Sequence, residues 1–382
     1  MSVRESSVVK LNYNYAFRAV GLEIGNLFTL AYLYKQGLTP AQAFGAYAFI
    51  FVLRACLRPS ATWMCRRFGL HAGLLFGTLV FAARYPLMIP LHSIDGWLIA
   101  FAVVQALGDV LYCVPYHFYF AVLGSSKSRG KGVGLREALS TAISVITPLF
   151  SGFLLALNNV YIFLIATAFT LAGLIPVWKL PCPPVPVKLN RAQRKKVSKR
   201  GFFGFVGSAM YNMTNQIWGL IVFLIVSGNY DKFGYLLALA AVFRAVGNMF
   251  FGRLIDKGKG WAITLAGFGS LIVITLCRLF FAHTVPVVIA CDFFYGLALC
   301  LSVPSLMSVI YNDIKKSPHP LYYTYYMELG WDVGCIITLS CSAALAHFNL
   351  NPRFELLLGI AGILLLLSIL KRAYTAKDVK KS

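Results

Sequence analysis

Residues 51–59 read FVLRACLRP, and residues 241–249 read AVFRAVGNM. The two stretches place Arg54 and Arg244 in the same context at an offset of 190 residues. Further pairs recur at this offset or at 191, namely Arg67 with Lys257, Gly77 with Gly267, and Glu137 with Glu328. A chain that repeats itself at half-length is predicted to consist of two homologous halves.

The composition is that of a membrane protein. Hydrophobic residues make up 59% of the chain and charged residues 13%, with a mean hydropathy of +0.72. A soluble domain would carry about 25% charged residues. Twelve apolar segments are long enough to cross the roughly 30 Å hydrocarbon core as helices. We predict spans 1 to 12 at residues 15–34, 41–57, 70–91, 96–121, 133–156, 159–178, 202–227, 233–254, 261–282, 285–311, 321–348 and 354–370.

The formal net charge of +22 follows from the placement of the basic residues. Most lie before span 1, after the even-numbered spans or in the C-terminal tail, whereas the alternate loops hold Lys35, Lys232 and Arg353. This is the positive-inside pattern, and it predicts that both termini are cytoplasmic. A basic cytoplasmic face predicts anionic lipid headgroups as partners and argues against nucleic acid. The compact loops favour a bacterial inner membrane.

The segment that follows span 8 reads GRLIDKGKG, with Gly252, Asp256, Lys257 and Lys259. It resembles the loop signature of the Major Facilitator Superfamily, in which a glycine and an aspartate precede clustered basic residues. The equivalent segment after span 2, TWMCRRFGLHAG, carries Arg66 where the family has aspartate. The resemblance implies an all-α membrane protein with 12 transmembrane helices. These would form two six-helix bundles related by pseudo-two-fold symmetry and working by alternating access.

This organisation divides the chain into three parts. Residues 1–178 are predicted to form the N-terminal bundle, 179–200 a basic cytoplasmic linker, and 201–382 the C-terminal bundle with a short cytoplasmic tail. The GKG triplets at 130–132 and 258–260 lack the spacing of a nucleotide-binding loop. We therefore expect a secondary transporter of a small solute, with no catalytic activity and no cofactor or metal. We expect it to act as a monomer.

The resemblance also implies that span 2 packs against span 11 and span 5 against span 8. Arg54 would then approach Glu328, and Arg244 would approach Glu137. All four residues are expected near the cytoplasmic ends, where the two pairs would latch the cytoplasmic side. The alternative is that each charge extends to the cytoplasm or pairs within its own half.

Spans 1, 4, 7 and 10 line the cavity in the resembled family, and all four carry polar or aromatic groups here. Residues on shared helical faces recur at three- and four-residue steps. The predicted cavity residues are Glu23, Asn26, Gln105, Asp109, Tyr112, Tyr116, Tyr211, Asn212, Asn215, Trp218, Asp292, Tyr295 and Asp332. The acids among them favour a cationic or neutral solute.

A carboxylate whose solvent access alternates between the two sides can carry a proton. Asp109 and Glu23 are the first candidates for proton coupling because an ionisable group inside a span is usually functional. Asp292 is expected to meet Arg278, and the similar late positions of Arg84 and Arg278 suggest a structural role.

Two other functions remain open at this stage. A lipid or lysolipid translocator could use the same fold, and it would require a lateral opening to the bilayer. An integral membrane enzyme is disfavoured because the six histidines are scattered and form no HxxxH or HxxxxD cluster.

Overall fold

The computed structural model describes residues 3–24, 28–123, 129–157, 159–181, 199–226, 228–251 and 260–378. Within these ranges, only the backbone is described for residues 3–6, 28, 129–138, 156–157, 159, 246–251, 260, 308, 352 and 375–378. Most of the predicted linker and the predicted loop motif of Gly252, Asp256, Lys257 and Lys259 therefore lie outside the described residues.

Helices occupy all twelve predicted spans. In the first half they are Val3–Leu22 and Phe28–Lys35 (span 1), Pro40–Met88 (spans 2 and 3), Gly96–Leu123 (span 4), Arg129–Leu157 (span 5), and Asn159–Ala172 with Leu174–Val177 (span 6). In the second half they are Lys199–Ile225, Tyr230–Phe251, Gly260–Phe280, Val285–Lys316, Pro320–His347 and Leu356–Asp378 (spans 7 to 12), with a 3₁₀ turn at Pro352–Glu355. Seven of the described helices are long and apolar enough by composition alone to cross a membrane.

Spans 2 and 3 form one helical stretch, interrupted at Gly69. This glycine has φ 88° and ψ 162°, a conformation that favours glycine because it has no Cβ. The helix continues beyond residue 57, the predicted end of span 2, and includes Arg54 and Arg58. Both arginines are buried inside the helix, where carboxylates compensate their charges.

The half-length repeat is visible in the packing of two glycines. A Cβ on Gly77 of span 3 would lie 2.6 Å from the Leu111 carbonyl carbon of span 4. A Cβ on Gly267 of span 9 would lie 2.9 Å from Leu301 Cβ of span 10. Leu111 and Leu301 are related by the same offset of 190 as the glycines. Each glycine thus permits the same close helix contact in its own half.

The two halves meet through two pairs of helices. Span 2 packs along span 11, and span 5 packs along span 8, as the resemblance implies. The second contact is close, because a Cβ on Gly234 would lie 2.5 Å from the Pro148 carbonyl oxygen. Polar side chains of spans 2 and 11 are thereby brought face to face inside the molecule.

Candidate functional site

A buried group of three arginines and three carboxylates lies between the two halves. We call it the central ion cluster, and it consists of Arg18 (span 1), Arg54 and Arg58 (span 2), Asp109 (span 4), and Glu328 and Asp332 (span 11). None of the six residues is more than 7% exposed. The formal charges of the group sum to zero.

Asp109 connects cluster residues that belong to the N-terminal half. Arg18 Nη2 donates to its Oδ1 at 2.6 Å, and Arg54 Nη1 donates to its Oδ2 at 3.2 Å. The guanidinium of Arg18 also lies 4.1 Å from the centroid of the Tyr112 ring. One carboxylate therefore links spans 1, 2 and 4.

The other ion pairs of the cluster join the two halves of the chain. Arg54 Nε lies 3.0 Å from Asp332 Oδ1, and its Nη2 lies 3.9 Å from Glu328 Oε2. Arg58 donates from Nε to Asp332 Oδ2 at 2.8 Å, and its Nη2 donates to the same oxygen. Arg58 Nη1 lies 3.6 Å from Glu328 Oε2. Two arginines of span 2 are thus matched by two carboxylates of span 11.

Helical spacing explains this match. Arg54 and Arg58 are four residues apart, as are Glu328 and Asp332, so each pair projects from one face of its helix. The sequence predicted that Arg54 would approach Glu328, but no role was assigned to Arg58. The repeated four-residue spacing was the signal that could have identified Arg58.

His117 extends the cluster along span 4. Its Nε2 lies 3.3 Å from Glu328 Oε1, and its Nδ1 is 3.1 Å from the Tyr311 hydroxyl of span 10. The hydroxyl can donate to a neutral nitrogen or accept from a protonated one, depending on the tautomer. Spans 4, 10 and 11 are joined at this point.

The cluster lies near the middle of the helices that carry it. Arg54 lies about as many residues from the start of its helix at Pro40 as from Gly69, and Asp109 is central in Gly96–Leu123. The cytoplasmic position of the latch stays a prediction. Asp109 is not a lone aspartate, since two arginines hold it.

The second predicted latch pair is only partly described. The side chain of Glu137 lies outside the described residues. Arg244 Nη2 donates to Ser144 Oγ of span 5 at 2.5 Å, so this arginine joins spans 8 and 5. Glu23 of span 1 is half-buried and begins a π-helical turn at residues 23–24, a feature often found at functional sites.

A second ionic site lies within the C-terminal half. Arg278 of span 9 donates to Asp292 Oδ1 of span 10 at 2.5 Å and to Asn215 Oδ1 of span 7 at 3.0 Å. Trp218 Nε1 donates to the same Asp292 oxygen at 2.9 Å. The Tyr295 ring centroid lies 4.0 Å from the Arg278 guanidinium carbon. The expected meeting of Asp292 with Arg278 is present, and four predicted cavity residues surround this arginine.

The remaining predicted cavity residues do not form one group. Tyr112 donates to Asn14 Oδ1 and stacks on Tyr116, and Gln105 is buried. Asn212 bonds to the Ser208 carbonyl oxygen of its own helix, and Tyr211 packs edge-on against Phe268. Asn26 lies outside the described residues.

The acids of spans 4, 10 and 11 are all neutralised by arginines. Asp109, Asp292 and Asp332 each have a guanidinium nitrogen within hydrogen-bond distance. Burying such charges costs several kcal/mol per ion, so their pairing is the condition for placing them inside the molecule. The acids therefore no longer favour a cationic solute.

Comparison with known proteins identifies the family. The family model of the Major Facilitator Superfamily matches residues 15–339. No curated protein matches the chain significantly. The chain is similar in structure to the human organic anion transporter MFSD10 (TETRAN), with a TM-score of 0.70 and 12% identity over 98% of this chain and 99% of that one.

A second similar structure is that of FucP, a Major Facilitator Superfamily transporter in the outward conformation. It has a TM-score of 0.72 and 14% identity, and the match covers 97% of this chain and 99% of that one. At such low identity these two structures establish the fold alone. The family match over most of the sequence, together with the twelve helices, shows that the chain belongs to the Major Facilitator Superfamily.

Proposed function

We propose that the protein is a secondary active transporter that moves a small solute by alternating access, with the central ion cluster as its conformational lock. The observation that carries this proposal is the buried match of Arg54 and Arg58 with Glu328 and Asp332 across the two halves. Relative motion of the halves requires these ion pairs to separate. Breaking a buried pair is costly unless water, solute or a proton replaces the lost partner.

Proton coupling is part of the proposal, with Asp109 as the proton carrier. Protonation of Asp109 removes the negative charge that Arg18 and Arg54 share. Arg54 is then held by the carboxylates of span 11 alone. Glu23 is the second carrier in this proposal, because it is an ionisable side chain that is half-buried within span 1.

The experiment follows the distance between the halves by pulsed electron paramagnetic resonance. Arg66 Nη1 lies 3.4 Å from the Tyr322 hydroxyl, so residues 66 and 322 report on the contact between spans 2 and 11. Both would be labelled through cysteines, with the exposed Cys56 and Cys341 changed to serine. Alternating access predicts two distance populations whose ratio changes between pH 8 and pH 5.5.

The Asp109→Asn variant tests the proton carrier in the same experiment. It should show the same distance ratio at pH 8 and pH 5.5, because its amide cannot take up or release a proton. The carboxylate of Asp95, outside the spans, provides the control, and Asp95→Asn should keep the wild-type response. A single distance in every sample would contradict alternating access, whereas an unchanged pH response in Asp109→Asn would remove Asp109 as the carrier.

The proposal also includes the location, the oligomeric state and the division of the chain that the sequence predicts. We place the protein in a bacterial inner membrane as a monomer with both termini cytoplasmic, and we divide it at the linker 179–200. We assign it no catalytic role. A lipid or lysolipid translocator on the same fold would show the same two distances, and transport assays with labelled lipids would separate the two functions.

Anionic lipid headgroups are the further partner that we propose. A groove of about 610 Å³ is lined by Lys10, Lys179, Trp178, Leu174, Ile175 and Pro176. We call this the headgroup groove. It combines two cations with apolar side chains and a tryptophan, the composition suited to the boundary between headgroups and acyl chains.

A further inference from the structure

Arg84 is the buried arginine that has no carboxylate partner among the described residues. Five arginines in the described part are buried, and they are Arg18, Arg54, Arg58, Arg84 and Arg278. Each of the other four lies within 4.0 Å of a carboxylate oxygen, whereas no such contact exists between Arg84 and a described residue. Its side chain is buried, and its Nε has no hydrogen-bond partner among the described residues.

The contacts that Arg84 does make are those of an apolar and aromatic setting. Its Nη2 donates to the Tyr85 hydroxyl at 3.2 Å. Its guanidinium carbon lies 4.0 Å from the centroid of the Phe81 ring and 4.6 Å from that of Tyr85. Ring faces attract a cation, yet they do not replace the carboxylate that a buried guanidinium requires.

Arg84 is also next to the central ion cluster. The Arg18 guanidinium carbon lies 4.0 Å from the centroid of the same Phe81 ring, so this ring contacts one arginine of the cluster and Arg84. Tyr47 of span 2 is within electrostatic range of Arg84, Arg54 and Asp109. Arg84 therefore lies beside the region where the halves meet, towards the non-cytoplasmic end of span 3.

We propose that Arg84 binds the anionic group of the transported solute, and that the solute is a small organic monoanion with an apolar or aromatic body. This inference rests on the proposed transport function and names its substrate class. A planar guanidinium can bind a carboxylate by two parallel hydrogen bonds. The single positive charge of Arg84 matches one negative charge on the solute. The rings of Phe81 and Tyr85 can pack against an apolar part of the same solute.

A solute bound at Arg84 would also act on the central ion cluster. An anion held at Arg84 lies beside Arg18, for which Asp109 is the present partner. Competition between the solute and Asp109 for Arg18 would loosen the central ion cluster. Substrate binding and separation of the halves would thereby be coupled through one guanidinium.

The test measures binding in detergent without a gradient, so its outcome does not depend on transport. Thermal unfolding of the purified chain is recorded at pH 7.5 with increasing benzoate, with the neutral isostere benzamide and with inorganic phosphate. Binding to the folded state alone raises the unfolding temperature in a saturable way. We expect this response with benzoate, a much smaller one with phosphate and none with benzamide.

The main variant is Arg84→Met, which keeps the volume and removes the charge. Without benzoate, its unfolding temperature should equal or exceed that of the wild type, because an unpaired buried charge is costly. Its benzoate affinity should fall about tenfold or more, since a hydrogen bond to a charged group is lost. Arg84→Lys should bind benzoate several-fold more weakly than the wild type, because it offers a point charge instead of a planar fork.

The control is Arg67→Met, which removes an exposed arginine and should keep the full benzoate response. The proposal fails if wild-type protein gives no saturable benzoate shift, or if Arg84→Met or Arg84→Lys responds like wild type. A stronger response to phosphate or an equal response to benzamide overturns the assigned solute class. A marked loss of stability in ligand-free Arg84→Met would make Arg84 a structural residue instead.

Discussion

Arg58 and Asp332 are 274 residues apart in the chain and form an ion pair in which both side chains are fully buried. They come from opposite halves, so their contact exists only while spans 2 and 11 are packed together. Arg54 and Glu328 lie one helical turn away on the same two spans. We therefore expect the pair to contribute both to the stability of this conformation and to the free-energy cost of leaving it.

Removal of one partner should be more damaging than removal of both. Asp332→Leu leaves the buried cluster with three guanidinium groups and two carboxylates, and we expect a loss of about 3–5 kcal/mol in stability from the uncompensated charge. The double variant Arg58→Met/Asp332→Leu should recover most of that loss, because two apolar side chains pack where the ions were. Thermal unfolding in detergent measures both effects.

The distance between residues 66 and 322, measured in Asp332→Leu and in Arg58→Met/Asp332→Leu, shows how each variant changes the separation of the halves. The double variant should favour the short distance more than the wild type does, since its contact between positions 58 and 332 no longer depends on charges that a proton or solute could release. A double variant as unstable as Asp332→Leu would show that the pair stabilises by more than charge compensation.

Charge reversal at the other interface tests the second latch pair. We predict that Arg244→Glu abolishes the change in distance between the halves, and that adding Glu137→Arg partly restores it. Ser144→Ala is the matched control, because it removes the hydroxyl that Arg244 contacts without changing any charge. Should the double reversal perform no better than Arg244→Glu alone, Glu137 is not the partner of Arg244.

The close contact of spans 9 and 10 should be sensitive to a single methyl group. Gly267→Ala places a Cβ 2.9 Å from Leu301 Cβ and from Ser302 N, and we expect a loss of about 1–3 kcal/mol from overpacking. Gly269→Ala is the control two residues along, where nothing lies within 4 Å. That substitution should be neutral or stabilise by up to about 1 kcal/mol through helix propensity. Equal effects at both sites would show that the Leu301 contact is not the limiting one.

The headgroup groove should select anionic lipid. Native mass spectrometry of the protein with phosphatidylglycerol and phosphatidylcholine should show preferential retention of the former. Replacing Lys10 and Lys179 by alanine should weaken phosphatidylglycerol binding roughly tenfold or more, at about 1 kcal/mol for each cation. The double variant Lys35→Ala/Lys232→Ala, on the predicted opposite side, should bind like wild type. Equal retention of both lipids by wild-type protein would refute the selectivity.

The sequence was sufficient for the fold because the decisive information is local or periodic. Apolar length predicts the spans, the placement of basic residues predicts orientation, and the offset between Arg54 and Arg244 indicates the repeat. The approach of Arg54 to Glu328 followed from the repeat together with the family resemblance. None of these patterns depends on how a helix is rotated about its own axis.

The partners of the buried charges do depend on that rotation. Asp109 meets Arg18 and Arg54 because one face of span 4 turns towards spans 1 and 2, and no periodicity within span 4 reveals this. For the same reason the surroundings of Arg84 became visible only in the folded chain. Its similar position to Arg278 suggested an equivalent role, yet within the described residues Arg278 has an aspartate beside it and Arg84 has no carboxylate within 4.0 Å.

The balance of charges in the central ion cluster has an electrical consequence. Moving one elementary charge through a membrane potential is worth about 2.3 kcal/mol per 100 mV. With three guanidinium groups and three carboxylates, the fully ionised cluster has no net charge, so moving it as one unit does no net work against the field. A proton on Asp109 leaves the cluster with one positive charge. A movement of the whole cluster across the membrane should therefore respond to the membrane potential in the protonated protein and not in the deprotonated one, whereas separation of its ion pairs can respond in both.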